Sequence, residues 1–464
     1  MSLTACINLT EPKISTELVK DYSQNNWLSN SKLGEMTGAL QTSVFEQIQM
    51  PALVKLIDEA INANQALLAD EADYLALAFA SNQAAADLLP SLTLESTSTR
   101  SKERSLFSDD NTYVRDQNVQ LFASWELDFW GRIRAERRQE KAGMKRAKYE
   151  LAASRDALFG LVTRQWLSLW LTNQQIRIEQ ERVEIFFMLQ NSASEQYANG
   201  LTNYEDVSLA QISLKTAQAS VMQLQYTRSE IARQIEVLVG RYPSAELTYN
   251  DAFPDIQKPI LSIPSEVIAN RPDIQAAYAK LHETHFQLEA QNRALLPSFT
   301  LSASAGKSRP SWGDIFDSSL LWSVVGGISQ SLFIADLIDA GPLTLTKTNE
   351  QLKRAATLRY RQTVLDAFLE IENALALEGN LVEQQALLVE TVVHAKSVYI
   401  DYTERYQNGL VNFIDLLTIQ EQYLNAQLTL LETQAGLLYN RVKLGLALGI
   451  STQHNLLEDQ LGQV

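Results

Sequence analysis

Two hydrophobic periods alternate along this chain, and the alternation occurs twice. From Pro51, apolar residues fall three and four apart at Leu53, Leu56, Ile57, Ala60, Ile61, Leu67 and Leu68, predicting a helix that runs to Leu88-Leu89 and stops at Pro90. The period then changes to two. Leu92 and Leu94 oppose Ser91 and Thr93, and a partner strand alternates Val119, Leu121, Ala123, Trp125 and Leu127 with Asn118, Gln120, Ser124 and Glu126, with Phe122 breaking the polar side. The polar connection Ser101–Asn111 makes these strands a hairpin. After Gly131 a proline-free helical run leads to Tyr197, about 65 residues or roughly 100 Å at 1.5 Å per residue. A return helix from about Thr202 to Val239 places Val207, Ala210, Leu214, Ala217, Val221 and Leu224 in a heptad seam, predicting a coiled-coil hairpin.

The second half repeats this order. Leu88-Leu89-Pro90-Ser91-Leu92-Thr93-Leu94 recurs as Leu295-Leu296-Pro297-Ser298-Phe299-Thr300-Leu301, offset by 207. Phe299, Leu301, Ala303 and Ala305 alternate with serines and a threonine; a more uniformly apolar partner spans Trp322 to Ser331 and contains Gly326-Gly327, after a polar connection at Lys307–Ser319. The turn Tyr197-Ala198-Asn199-Gly200-Leu201-Thr202-Asn203-Tyr204-Glu205-Asp206 recurs as Tyr406-Gln407-Asn408-Gly409-Leu410-Val411-Asn412-Phe413-Ile414-Asp415, offset by 209, and the match continues to Gly240 and Gly449. Asn-Gly between long helical runs predicts a tight reversal, because both residues tolerate positive φ. The second seam is Leu416, Ile419, Tyr423, Ala426, Leu430, Leu437 and Leu444.

The expected organisation is therefore one fold of two similar halves, mostly α with a β-hairpin in each half, the hairpins being the candidate β-barrel part. Residues 1–50 form an arm, 51–240 the first repeat with its β-hairpin at 91–128 and tip near 200, and 241–264 a linker holding Pro243, Pro254, Pro259 and Pro264. Residues 265–449 form the second repeat, with a β-hairpin at 298–332 and tip near 409, and 450–464 a tail. Strands of about ten residues with one apolar and one polar face suit a membrane β-barrel, and equally a soluble sheet with one face on a core. Trp125, Trp130, Trp312 and Trp322 near strand ends fit an aromatic belt. Four strands cannot close a barrel, and an open edge cannot stand in lipid. A membrane reading therefore requires several chains to share one barrel.

A net charge of −16 and a pI near 4.9 argue against nucleic acid or anionic lipid as principal partner. No run approaches the about 18 consecutive apolar residues of a spanning helix. Cys6 is the sole cysteine, which excludes a disulfide framework; Leu3-Thr4-Ala5-Cys6 resembles a bacterial lipobox, the alternative being a chance free thiol. His282 and His285 share a helix face without a third ligand at metal spacing. Phosphate loops, nucleophile elbows and nucleophile–base pairs are missing, so neither an enzyme nor a cofactor is expected. The basic run Arg132, Arg134, Arg137, Arg138, Lys141, Lys145 and Arg146 is interleaved with Glu136, Glu140 and Glu150, which suits a solvated helix face. Asp206 and Asp415 hold equivalent places after each Asn-Gly; they fit a helix N-terminus, and a carboxylate ring facing a narrowed pore fits as well.

The doubled Leu-Leu-Pro-Ser-x-Thr-Leu, Trp125-Glu126-Leu127-Asp128-Phe129-Trp130-Gly131-Arg132, Arg271-Pro272-Asp273-Ile274 and the doubled Tyr-x-x-Gly tips together resemble the outer-membrane efflux proteins, the exit ducts of Gram-negative tripartite pumps, over about residues 45–450. The lipobox resembles the lipoprotein branch that serves resistance-nodulation-division multidrug pumps. The resemblance implies a homotrimer with a shared twelve-stranded barrel and a long periplasmic α-helical tunnel. It also implies an address in the outer membrane, extending into the periplasm and lipid-anchored at Cys6. The implied partners are outer-membrane lipid, a periplasmic adaptor (membrane fusion) protein and an inner-membrane pump. It implies a periplasmic gate at Asp206, Asp415 and Tyr406, and adaptor docking at the tips Asn199, Gly200, Leu201, Asn408, Gly409 and Leu410. Val411 and Thr418 stand where a well-known member pattern has a basic and an acidic residue, so closure is expected to rest more on packing by Leu410, Val411 and Leu416. Cargo alternatives are drugs or other small molecules and, with the same fold, type I protein secretion; a soluble coiled-coil scaffold is the alternative from another class.

Overall fold

The computed structural model describes residues 50–104, 111–247, 270–315, 317, 319–330 and 341–449. The expectations for Cys6, the arm, the tail and most of the linker fall outside them. Ten principal elements follow in order: α1 (Pro51–Ala63), α2 (Gln65–Ala86), β1 (Ser91–Arg104), β2 (Asn111–Leu127), α3 (Arg132–Ala198), α4 (Tyr204–Leu238), α5 (Pro272–Ala294), β3 (Ser298–Arg309), β4 (Leu321–Ser329) and α6 (Pro342–Gln407). α7 (Phe413–Ala447) completes the second helical hairpin.

The first helical run is two helices rather than one. Asn64 leaves the helical region at ψ 119, and its Oδ1 accepts the Leu67 amide at 3.0 Å, capping α2. Its Nδ2 donates to the Leu238 carbonyl at 2.9 Å, anchoring the break to the end of α4. The apolar spacing runs through this point unchanged, which is why periodicity alone does not register it. Gly240, at φ +74, lies so close to this joint that an added Cβ would stand 2.5 Å from the Ala63 carbonyl oxygen.

The chain divides into two compact units, each drawing on both repeats. One contains Ala72–Tyr149 and Ala276–Gln362 and holds the antiparallel sheet, in the order β1-β2-β3-β4. Register carries the alternation across all four strands. Leu92 pairs with Ala123, Ala123 with Ala303 and Ala303 with Val324; Leu94, Leu121, Ala305 and Trp322 form the next apolar row. On the other face Glu95 accepts from Gln120 at 3.0 Å, and the Ser304 and Ser323 hydroxyls are 2.9 Å apart. The apolar face is exposed at Leu92, Leu94, Leu121, Trp125, Leu301, Trp322, Val324 and Ile328. β1 and β2, at 14 and 17 residues, exceed the ten or so that the apolar alternation marks. The extra length is mostly polar, as in Ser98↔Gln117 and Thr99↔Asp116, and is held by backbone pairing that leaves no hydropathic alternation. Trp125 Nε1 donates to the Leu88 carbonyl and Trp130 Nε1 to the Pro297 carbonyl, so these rings tie the end of β2 to the segments that lead into β1 and β3.

α3 begins where the Asp128 carboxylate accepts the Ile133 and Arg134 amides at 3.1 and 3.0 Å. The basic run that follows is more than a solvated face. Arg132 binds Glu126 with both carboxylate oxygens at 2.8 Å, while Arg138 and Arg146 reach across to Glu289 and Glu283 on α5, each at 2.9 Å. Arg137, Lys141 and Lys145 remain exposed. In the same unit the buried His285 Nδ1 stands 3.0 Å from Lys353 Nζ, and His282 packs edge-on to Tyr278. Among the described residues no cluster of three metal-ligating side chains forms, and no helix is long and apolar enough to cross a membrane.

Candidate functional site

The other unit, which includes Glu150–Gln275 and Thr363–Val464, contains both hairpin tips. They close by the same chemistry. At the first, Gly200 takes φ +69, the Leu201 amide donates to Gln196 O at 2.8 Å and the Gly200 amide to Tyr197 O at 3.0 Å. At the second, Gly409 takes φ +70, and Leu410 and Gly409 donate to Arg405 O and Tyr406 O at 2.9 and 3.0 Å. This is the paired reversal that follows a helix C-terminus when a left-handed residue is available. Each return helix then starts on an asparagine cap: Asn203 Oδ1 accepts the Asp206 amide at 3.1 Å and Asn412 Oδ1 the Asp415 amide at 2.8 Å. Asp206 and Asp415 thus occupy the third position of a helix, where the macrodipole favours an anion. Thr202 Oγ1 also donates to the Asp206 carboxylate.

An aromatic pair braces each reversal. Tyr197 and Tyr204 meet edge-on at 5.9 Å and 62°; their counterparts Tyr406 and Phe413 meet at 6.0 Å and 62°. Their surroundings differ. The first pair is 48% and 67% exposed, whereas the second is 7% and 2% exposed. Tyr406, Phe413 and Leu416 are buried against Ala193 of α3 and Ala210 of α4, with Val411 packed alongside. Small residues at these two positions let the second tip settle onto the first hairpin. Deeper along the joint, Leu417 packs on Phe186, Leu214 and Ala217.

Of the expected gate residues, Tyr406, Val411 and Asp206 come together. Burial, then the Asp206 charge, pushes the Tyr406 phenol above its ordinary value against a hydrogen bond with Ser192, so the ring stays neutral at physiological pH. Asp415 is exposed at its own tip, as are Leu410 and Leu201. The docking-tip residues Asn199, Gly200, Asn408 and Gly409 are likewise exposed.

Above the tips lies a polar layer of which the sequence marked only Tyr423, as a seam position. Tyr399 and Tyr423 stack at 5.5 Å and 9°, and the Tyr423 hydroxyl accepts from Gln427 at 2.8 Å. Glu179 is buried and paired with Arg182 at 3.3 Å; burial pushes its carboxyl up, Arg182 opposes that, and Glu421 adds to it. Gln420 is fully buried, and neither amide atom has a hydrogen-bond partner among the described residues. Its repeat counterpart Gln211 is exposed, so a polar residue on a heptad gave no signal of which copy turns inward.

Comparison with known proteins places this architecture. The outer membrane efflux protein family profile matches residues 56–241 and 263–450. The solvent efflux pump outer membrane protein SrpC of Pseudomonas putida is 27% identical over 412 residues, covering 86% of this chain and 85% of that protein. The cation efflux system protein CusC of Escherichia coli is 23% identical over 344 residues, covering 73% and 74%. Among solved structures, the outer-membrane channel OprN superposes with a TM-score of 0.86 at 23% identity, covering 96% of this chain and all of the other. The Campylobacter jejuni CmeC outer membrane channel gives 0.88 at 19%, covering 98% and 96%.

Proposed function

This chain belongs to the outer membrane efflux protein family, and we propose that it is the passive exit duct of a tripartite pump, carrying drugs or other small molecules from the periplasm to the outside. The observation that carries this reading is the four-stranded sheet. It presents one continuous apolar face, and among the described residues β1 and β4 have no outer neighbour. Such a sheet is stable in lipid only when copies join it edge to edge. Three chains supplying four strands each give a twelve-stranded barrel, and the helical hairpins of the same chains supply the periplasmic tunnel.

The inner-membrane pump supplies the energy, and a periplasmic adaptor docks at Asn199, Gly200, Leu201, Asn408, Gly409 and Leu410, whose exposure leaves them available. The gate lies at the joint between tips, with Tyr406 and Val411 forming its packed part, Asp206 its buried-side charge, and Asp415 and Leu410 its exposed fringe. Cys6 is the proposed lipid anchor. Small-molecule cargo is favoured over secreted protein because curated relatives are named for solvent, toluene and cation efflux. The test is fractionation followed by planar-bilayer recording. A trimer that resists mild detergent, pellets with outer membranes and conducts ions is expected; a monomer without conductance overturns the reading.

A further inference from the structure

The apolar face of the sheet changes character along its strands. Cross-strand partners share a face, so its rows continue in register as Ser96–Val119–Lys307, Ser98–Gln117–Arg309, Arg100–Arg115 and Lys102–Tyr113. Arg100, Lys102, Arg115 and Arg309 are exposed, and Lys307 is half-buried. Among the described strand positions this face carries no carboxylate. The acids lie on the opposite face, where Glu95 accepts from Gln120 and Asp116 accepts from the Ser308 hydroxyl. In a chain of net charge −16, five cations are thus gathered on one side of one sheet.

Register makes this gathering costly. Arg100 stands directly across from Arg115, and like charges at opposed positions destabilise a sheet. Arg100 and Lys102 both approach the Tyr113 ring, with the guanidinium carbon 5.7 Å and the amine 5.8 Å from its centroid. Among the described residues no carboxylate pairs with Arg100, Lys102, Arg115 or Arg309. An anion from outside the chain relieves the repulsion, and the height of the patch says where that anion sits. α2 and α3 join the sheet near Ser91 and Leu127, so the patch lies at the far end of the strands. The Leu127–Phe299 row and the Val119–Lys307 row are eight residues apart, about 27 Å at 3.4 Å each. At the roughly 40° tilt of barrel strands this is about 21 Å of height, close to the ~25 Å apolar band of a membrane barrel. The cations begin where that band ends, at the level of lipid headgroups.

We propose that this patch binds a lipid whose headgroup carries more than one phosphate, drawn from the leaflet farther from the helices. Arg100 and Arg115 share one phosphate, which turns their repulsion into a two-sided clamp, and Lys307 and Arg309 meet a second. Guanidinium suits this role because its planar donors match phosphate oxygens in pairs. The number of cations favours such a headgroup over a singly charged one. One charge offsets one cation of the five, whereas two phosphate monoesters carry about −3 to −4 at neutral pH. The inference rests on the shared barrel proposed above, since there this face meets lipid.

The test titrates the full chain, purified in non-ionic detergent, with lipid A, a disaccharide lipid bearing two phosphates, and counts bound lipid by native mass spectrometry. Parallel titrations use monophosphorylated lipid A, phosphatidylglycerol and inorganic phosphate. The doubly phosphorylated lipid should bind most tightly. Each cation beside a charged lipid contributes about fivefold, so Arg100→Gln with Arg115→Gln should weaken that binding on the order of 20-fold. Arg137→Gln with Lys141→Gln, at exposed cations of α3 in the same unit, should leave it unchanged. Equal affinity for phosphatidylglycerol, or equal binding by the Arg100 and Arg115 double variant, overturns the proposal in a protein that remains a conducting trimer. Inorganic phosphate binding as tightly as the lipid overturns the lipid assignment. A monomer without conductance overturns the shared barrel itself, and the proposal falls with it.

Discussion

The joint between the hairpin tips makes a quantitative prediction at Tyr406. Its ring is 7% exposed and divides its contacts between Phe413 on its own hairpin and Ala193 and Ala210 on the other. Truncating a buried aromatic to alanine costs about 3–5 kcal/mol. Only the part of that loss lying across the joint bears on opening. Taking half gives about 2 kcal/mol, or on the order of 30-fold in the ratio of closed to open tips. Tyr406→Phe keeps the ring and removes the hydroxyl that faces Asp206 and Ser192; a neutral hydrogen bond contributes about 1 kcal/mol, roughly fivefold. Single-channel recording of the purified protein should therefore show a large rise in open probability for Tyr406→Ala and a small one for Tyr406→Phe. Equal effects would mean that the hydroxyl, rather than the packed ring, holds the tips. No effect of Tyr406→Ala would remove this joint from the gate altogether.

Two further predictions concern the unit that contains the tips. Glu236 is buried and accepts from the Ala245, Glu246 and Leu247 amides and the Ser244 hydroxyl. Burial raises its carboxyl, but these bonds outweigh that and hold it below the usual carboxylate range. A depressed folded value contributes stability at neutral pH that is lost as pH falls through it. Glu236→Gln should cost about 1–2 kcal/mol locally at neutral pH, seen as faster hydrogen exchange of those three amides, with the difference from wild type shrinking in acid. Arg271 is largely buried and binds Asp273 at 2.8 Å, Glu370 at 3.1 Å and the Ala447 carbonyl at 2.9 Å. Its partners are partly solvated, so Arg271→Ala should cost about 2 kcal/mol rather than a full buried-pair loss. Thermal melting in detergent should fall, with Arg271→Lys intermediate; an unchanged transition would mean that this tie is dispensable.

The sequence disclosed most where one residue has one physical consequence. Pro90 and Pro297 mark the change of period, and the doubled Asn-Gly marks both reversals, because these residues constrain the backbone directly. It disclosed less where partners decide. The polar ends of β1 and β2 exist through pairing, and the break at Asn64 through a cap and the Leu238 carbonyl. At the candidate gate, Asp206 and Asp415 read alike, yet only Asp206 lies near the buried Tyr406. The difference is which hairpin folds onto which, and a repeat describes both copies in the same terms.

The bare flanks of β1 and β4 impose a hazard before assembly. With apolar rows on show and, among the described residues, no outer neighbour for either strand, the newly made chain is a template for indiscriminate β-addition. In the shared barrel proposed above, copies must meet in the right pairing before they meet in a wrong one. The charge of −16 bears on that race, because mutual repulsion opposes unguided encounters between chains.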